Sequence, residues 1–505
     1  MLFNSYIFIS VFLPITLIGF YILRRFSCDL PVYWLLMASL VFYGYWNPAY
    51  LLLLGSSIIF NYVISLWLTK NQSRLILILS VAINLLSIGY FKYSEFLVNN
   101  IAGVENTPEF ISTIILPLAI SFFTFQQIAY QVDIQSGKAS PSGFLNYSLY
   151  VSLFPQLIAG PIVRFQQLSP QLNFPIRRGS FFPKIALIGI ILFAMGLFKK
   201  VVWADTFAVY ANDVFAKAGD SFSKIGFYDA WIGAYTYSFQ LYFDFSGYSD
   251  MAIGLALMLG LKFPINFFSP YKAINIIDFW QRWHITLTSF FRDYLYIPLG
   301  GNRKGRFRQI LNIAIVMLLT GLWHGAGWSF IAWGAYHGGL VIVTHLVRKR
   351  LSRGSTYLLG KIRNTLIRNG FNFIIQSILW IITFHLVVLG WVMFRAETLN
   401  EAVVMFNGMF LQSGNKMLAF SDTSRYLVVV FLLLAAAFVV IVLPNSIQSI
   451  EKFTRWKEYL AQNLKSQISW HWRLSPLNGL FLGVLIYFSI TTLSHVSSDF
   501  LYFNF

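Results

Sequence analysis

Long apolar stretches follow one another along almost the whole of this chain, many of them close to the length that crosses a lipid bilayer. A helix needs about 20 mostly apolar residues to cover about 30 Å of hydrocarbon. Stretches of this kind run over residues 6–23, 31–46, 50–68, 75–93, 111–130, 185–202, 328–347, 373–394 and 426–443. Further apolar stretches lie at 145–157, 227–243, 251–261, 310–322 and 480–493. Of the 505 residues, 57% are hydrophobic and 11% charged, against about 25% charged in soluble domains. A water-soluble particle could not bury so much apolar surface and keep a solvated exterior. The expected fold is an all-α polytopic membrane protein of about eleven to thirteen transmembrane helices, with re-entrant or interfacial helices besides. Residues 1–505 read as one integral-membrane domain. The run 6–23 is expected to be a retained first span, because Arg24 and Arg25 follow it where a signal peptide would carry small residues.

The net charge of +18 comes from 37 Lys and Arg against 19 Asp and Glu. The basic residues lie mostly in loops between apolar runs, so positive-inside topology and anionic headgroups explain them better than nucleic acid. The single cysteine, Cys28, permits no intramolecular disulfide and no Cys-based metal cluster.

Two basic loops set the local topology. One, 300–308, holds Arg303, Lys304, Arg306 and Arg308. The other, 348–368, holds Arg348, Lys349, Arg350, Arg353, Lys361, Arg363 and Arg368. Both are expected on the cytoplasmic side. The segment between them reads as an out-and-back hairpin with the tip Leu322-Trp323-His324-Gly325-Ala326-Gly327-Trp328. Its first arm, 309–322, rises about 21 Å and falls short of the hydrocarbon thickness. His324 is therefore expected within the membrane's depth, with Gly325 and Gly327 permitting the reversal.

Ionisable residues inside apolar segments are functional candidates. Of seven histidines, His345, His471 and His495 read as surface groups and His385 as a structural hydrogen-bonding residue within a span. His284, His324 and His337 sit among Trp, Gly and small polar residues, which suit a narrow cavity between close helices. No carboxylate or thiol stands at ligand spacing beside His324, so no metal site is expected. Asp244 and Asp250 need partners at their apolar depth, for which Arg282 or Arg292 are the candidates. The stretch 278–299 is too polar for a lipid-facing span and suits an interfacial or re-entrant helix.

Several stretches carry a resemblance. They are Leu153-Phe154-Pro155-Gln156-Leu157-Ile158-Ala159-Gly160-Pro161-Ile162-Val163-Arg164; Tyr242 through Asp250 with Met251-Ala252-Ile253-Gly254; Asp278 through Leu287; Phe291 through Asn302; Gly321 through Trp328; and Gly390-Trp391-Val392-Met393-Phe394-Arg395-Ala396. Together they make the chain similar to the alginate O-acetyltransferase branch of the membrane-bound O-acyltransferase (MBOAT) family, with the core motifs within about residues 150–400. The resemblance implies a bundle around a central funnel or tunnel in a bacterial inner (cytoplasmic) membrane. It implies catalysis by His324, in the Trp-His-Gly motif, and His284. It also implies transfer of an acyl group, usually acetyl, from a cytoplasmic acyl-CoA or carrier-bound thioester toward an exported polysaccharide, directly or through a periplasmic acetyltransferase partner. Membrane lipid is the remaining partner; no bound cofactor is implied.

The chemistry suits this role. A neutral histidine, with an ordinary pKa near 6.5, takes a proton from a hydroxyl that attacks the thioester carbonyl. His284 would orient the acceptor or stabilise the oxyanion, and the basic loops would attract the phosphates of coenzyme A. The competing readings are a multi-span transporter or flippase, a scaffold for a periplasmic transferase, and a D-alanyl transferase fed by a carrier protein.

Overall fold

The computed structural model describes residues 1–100, 108, 111, 114–158, 160–176, 184–220, 225–361, 365–410, 423–454, 475–493 and 501. Among them every regular element is helical. Lipid offers no hydrogen-bond partner to the backbone, and a helix closes its own bonds within one segment. Among the described residues, eight helices are long and apolar enough to cross a membrane: Tyr50–Asn71, Arg74–Asn100, Lys184–Gly219, Arg306–His324, Trp328–Val347, Thr365–Arg395, Ser424–Glu451 and Pro476–Leu493. Phe8–Leu23 and Leu30–Gly44 are shorter apolar helices. Leu52, Leu86 and Phe431 are at least 70% exposed on such helices, a surface that only lipid can cover favourably.

Three details differ from the sequence reading. The stretches 227–243 and 251–261 are not separate spans; they belong to one 32-residue helix, Phe227–Met258. Within the stretch 111–130 the described helix Ile120–Gln135 starts only after Pro117, which lacks the amide that a helix interior requires. The basic segment from 348 onward is not a loop at its start, since the helix Trp328–Lys361 runs into it. Arg and Lys are good helix formers, so a change from apolar to basic ends a span without ending the helix.

The chain divides into two compact units. The first comprises Met1–Val202, Phe245–Ile265 and Ser446–Asn504. In it, glycines let two helices touch backbone to backbone. A Cβ at Gly189 would lie 2.5 Å from the Gly254 carbonyl oxygen, and one at Gly196 2.5 Å from that of Gly247. Seven residues separate the glycines on each helix, which is two turns of one face. A neutral network ties the early spans. The Asn84 amide donates to Asn61 Oδ1 at 2.8 Å, Gln131 Nε2 donates to the same oxygen at 2.7 Å, and Ser80 Oγ donates to Gln131 Oε1 at 2.8 Å.

The second unit comprises Trp203–Asp244 and Asn266–Asn445. It contains all three histidines singled out from the sequence.

Candidate active site

The hairpin is built from Arg306–His324 and Trp328–Lys361, which pack along each other. A Cβ at Gly334 would lie 2.5 Å from the Met317 carbonyl oxygen, and one at Gly321 would overlap that of Phe330. The two glycines therefore allow the arms to meet closely. The first arm has 19 residues rather than about fourteen, and rises about 28 Å. Shortness therefore does not bury His324. Packing does: it ends this helix at 3% exposure. The reversal does not use left-handed glycines either. Gly325 has φ −165°, which any residue adopts. Gly325 is required because a Cβ there would run into the Phe330 ring, whereas one at Gly327 would make an ordinary 3.5 Å contact.

Two tryptophans join the three histidines. The Trp323 ring lies 4.8 Å from His324 and 6.2 Å from His284. The Trp333 ring lies 5.1 Å from His324 and 5.0 Å from His337. Phe394 stands edge-on to His324 at 5.0 Å, and Trp391 stacks on Trp333 at 6.1 Å. The motif around Gly390 thus supplies two walls of the histidine site. His337 is fully buried, and neither ring nitrogen has a hydrogen-bond partner among the described residues. It is held by rings, with Trp280 at 5.3 Å.

His284 is reached from another direction. It caps the helix Ile285–Phe291 with φ 44° and ψ 52°, a left-handed conformation rare for a residue with a Cβ. Asn266, eighteen residues earlier and fully buried, holds it there. The Asn266 carbonyl accepts the Ile285 amide at 2.9 Å. Its side-chain Oδ1 lies 3.1 Å from His284 Nδ1 and accepts from the Thr286 amide at 3.3 Å and the Thr286 hydroxyl at 2.9 Å. His284 lies outside the candidate spans, and burial lowers its pKa from 6.5 to about 3. It is neutral at physiological pH. Sequence reasoning missed Asn266; an asparagine alone in the apolar run Phe263-Pro264-Ile265-Asn266-Phe267-Phe268 was the available signal.

Beside this cluster is a cavity of about 280 Å³, lined among others by Trp280, Thr288, Arg292, Tyr296, Met317 and His345. Trp280 links it to the histidines, being 5.7 Å from Trp333. Its lining is mainly apolar, and its one guanidinium, that of Arg292, is paired with Asp293. Among the described residues, no three His, Cys, Asp or Glu side chains gather as metal ligands would.

Other candidates fall elsewhere. Asp250 pairs with Lys199 at 2.6 Å and accepts from Ser446 in the first unit, not with Arg282 or Arg292. Those arginines bond the nearby Asp278 and Asp293, each at 2.7 Å, because acids on their own short helices are closer. His385 is structural: Nδ1 donates to the Ile381 carbonyl at 2.8 Å and Nε2 lies 2.9 Å from the Tyr235 hydroxyl. The stretch 278–299 forms short helices, Ile276–Arg282, Ile285–Phe291 and Arg292–Tyr296, none of spanning length. His471, His495, Arg363 and Ala159 lie outside the described residues.

Residues 135–388 match the family model of MBOAT, the membrane-bound O-acyltransferase family. The chain is 43% identical over 440 residues to the peptidoglycan O-acetyltransferase of Helicobacter pylori, covering 81% of this chain and 80% of that protein. It is 40% identical over 421 residues to a protein of Pseudomonas aeruginosa named probable alginate O-acetylase, covering 81% and 75%. A teichoic acid D-alanyltransferase of Streptococcus thermophilus is 30% identical over 258 residues, covering 49% and 61%.

Proposed function

The chain belongs to the membrane-bound O-acyltransferase family, and from that premise we propose that it carries acetyl groups from a cytoplasmic thioester toward a glycan of the cell envelope. It is a multi-pass membrane acyltransferase, which displaces the transporter and scaffold readings. The observation that supports the finer reading is the buried His324, enclosed by Trp323, Trp333 and Phe394 in a unit that also holds His284.

In this mechanism His324 is the general base. Its imidazole takes the proton of an acceptor hydroxyl, and the oxygen attacks the thioester carbonyl carbon. The tetrahedral intermediate collapses, the C–S bond breaks, and the thiolate leaves with the proton that the imidazolium returns. His284 serves the same reacting groups as a second imidazole. Burial excludes water, which would otherwise hydrolyse the thioester. The donor is acetyl-CoA, with its phosphates drawn to Arg303, Lys304 and Arg306, all exposed. Neutralising the three together raises the KM for acetyl-CoA; an unchanged KM in a well-expressed variant removes that part.

The acceptor is a glycan of the kind that the relatives' names give, alginate or peptidoglycan. A periplasmic transferase completes the transfer where the acceptor does not reach this chain, and the membrane is the bacterial inner membrane. Acetyl is preferred to D-alanyl because the O-acetylating relatives match far more of the chain.

The test uses membranes holding the wild type or His324→Ala at matched expression, supplied with labelled acetyl-CoA. Base-labile label on exported glycan with the wild type alone supports the proposal. Equal label in both removes His324 from the chemistry. Label from a D-alanyl carrier protein, and none from acetyl-CoA, replaces the donor.

A further inference from the structure

We infer that Asn266 is a positioning residue that holds His284 as the tautomer protonated at Nδ1, so that Nε2 is a hydrogen-bond acceptor that orients the acceptor substrate while His324 takes the reacting proton. This deepens the acyl-transfer reading and rests on it for the role of His284, but the tautomer is a property of the resting protein.

The argument begins at a main-chain group. The Thr286 amide can only donate, and the side-chain atom of Asn266 that faces it is therefore the carbonyl oxygen. An N–H aimed at one end of an asparagine amide identifies that end as the oxygen. The Thr286 hydroxyl donates to the same oxygen at 2.9 Å. Turning the amide over would set its NH2 against the Thr286 amide, which cannot accept. The native orientation persists although Asn266 Nδ2 has no hydrogen-bond partner among the described residues.

With Oδ1 fixed as an acceptor, the His284 nitrogen 3.1 Å away must donate to it. Nδ1 therefore carries the hydrogen. Burial keeps the ring neutral, and a neutral imidazole has one donor and one acceptor nitrogen. The acceptor is Nε2. This decides between the two roles open to His284. An Nε2 lone pair can accept a hydrogen bond from a second donor group of the acceptor and so orient it, leaving the reacting proton to His324; it cannot donate to an oxyanion. The remaining Asn266 contact, from the Ile285 amide to its carbonyl, helps to hold the left-handed His284 backbone. A single residue thus sets the backbone, ring orientation and tautomer of its partner, as second-layer groups do for metal-binding histidines.

The tautomer is read directly by nitrogen NMR of the full chain in lipid nanodiscs, with 15N-histidine labelling. The His284 signals are identified by their loss in His284→Gln. A protonated Nδ1 with an unprotonated Nε2 at pH 7 is expected. A protonated Nε2, or both nitrogens protonated, overturns the inference. This readout does not depend on activity, so it separates failure of the inference from failure of the acetyl-transfer reading. Kinetics supply a second test. Asn266→Leu, which removes the acceptor, should lower kcat by about ten- to a hundredfold with little change in donor KM. Asn266→Asp retains the acceptor and should recover much of that loss. Unchanged kcat in Asn266→Leu, or equal losses in both variants, overturns the positioning role. If Asn266→Leu does not fold, the wild-type spectrum still decides.

Discussion

Gly390 stands directly against the imidazole of His337: a Cβ added at Gly390 would overlap Nε2 and lie 3.2 Å from Cε1. The motif at 390–396 therefore does more than supply aromatic walls. Its first residue makes room for a buried histidine on a neighbouring helix. Gly390→Ala must push that ring against Trp280, Trp333 and Trp391. We expect a loss of about 1–3 kcal/mol, the usual cost of overpacking. Gly327→Ala, facing only an ordinary contact with Phe330, should be close to neutral. Thermal unfolding of both variants in detergent checks the contrast.

Trp333 is the ring shared by His324 and His337, and it is fully buried. Trp333→Ala should cost about 3–5 kcal/mol, as other large-to-small aromatic substitutions do. Acetyl transfer should fall as well, because His324 loses one of its walls. Chemical unfolding and the labelled acetyl-CoA assay read the two effects. Full activity in Trp333→Ala would show that the wall has no part in the reaction.

In the first unit, Lys199 and Asp250 form a largely buried pair that Ser446 joins from a third segment. Removing one charge strands the other. Lys199→Met alone should destabilise by about 3–5 kcal/mol, and adding Asp250→Leu should recover part of it. A double-mutant cycle on unfolding midpoints measures the coupling. Additive losses would mean that the pair contributes nothing beyond its separate residues.

The pH dependence follows from His284. Its pKa is lowered from 6.5 to about 3 in the folded protein, so the folded state refuses a proton that the unfolded chain accepts. Above pH 6.5 both states are neutral there and stability is unaffected. As pH falls from 6.5 toward 3, the unfolded state binds up to one more proton at this site and stability declines. Reversible unfolding followed across that range should show a slope that is reduced by up to about one proton in His284→Asn. An unreduced slope would show that His284 titrates alike in both states.

Much of this architecture is legible in the sequence. Apolar run lengths announce a helical membrane protein, and the Trp-His-Gly and Trp-His-Ile segments carry the two candidate catalytic histidines. Segment boundaries are less legible. Length alone does not show that 227–243 and 251–261 share a helix, since helical hydrogen bonding continues through Asp244 and Ser246 when both are buried in protein. Nor does charge show where the helix from Trp328 ends, because a basic turn remains helical. The partner of Asp250 is hidden for a related reason: Arg282 and Arg292 look available along the chain, but nearer acids claim them.

What the sequence determined by itself was the solvent and the chemistry. Both are one-dimensional properties: bilayer thickness divided by helical rise sets a run length, and a short motif carries its histidine wherever the chain takes it. Tertiary structure alone decided which side chains meet. Asn266 and His284, His324 and Phe394, and Lys199 and Asp250 are joined by packing between segments distant in the chain. Such contacts leave no periodic trace in the sequence. Yet the first two set the properties on which the proposed chemistry rests, the inferred proton position on His284 and the burial of His324.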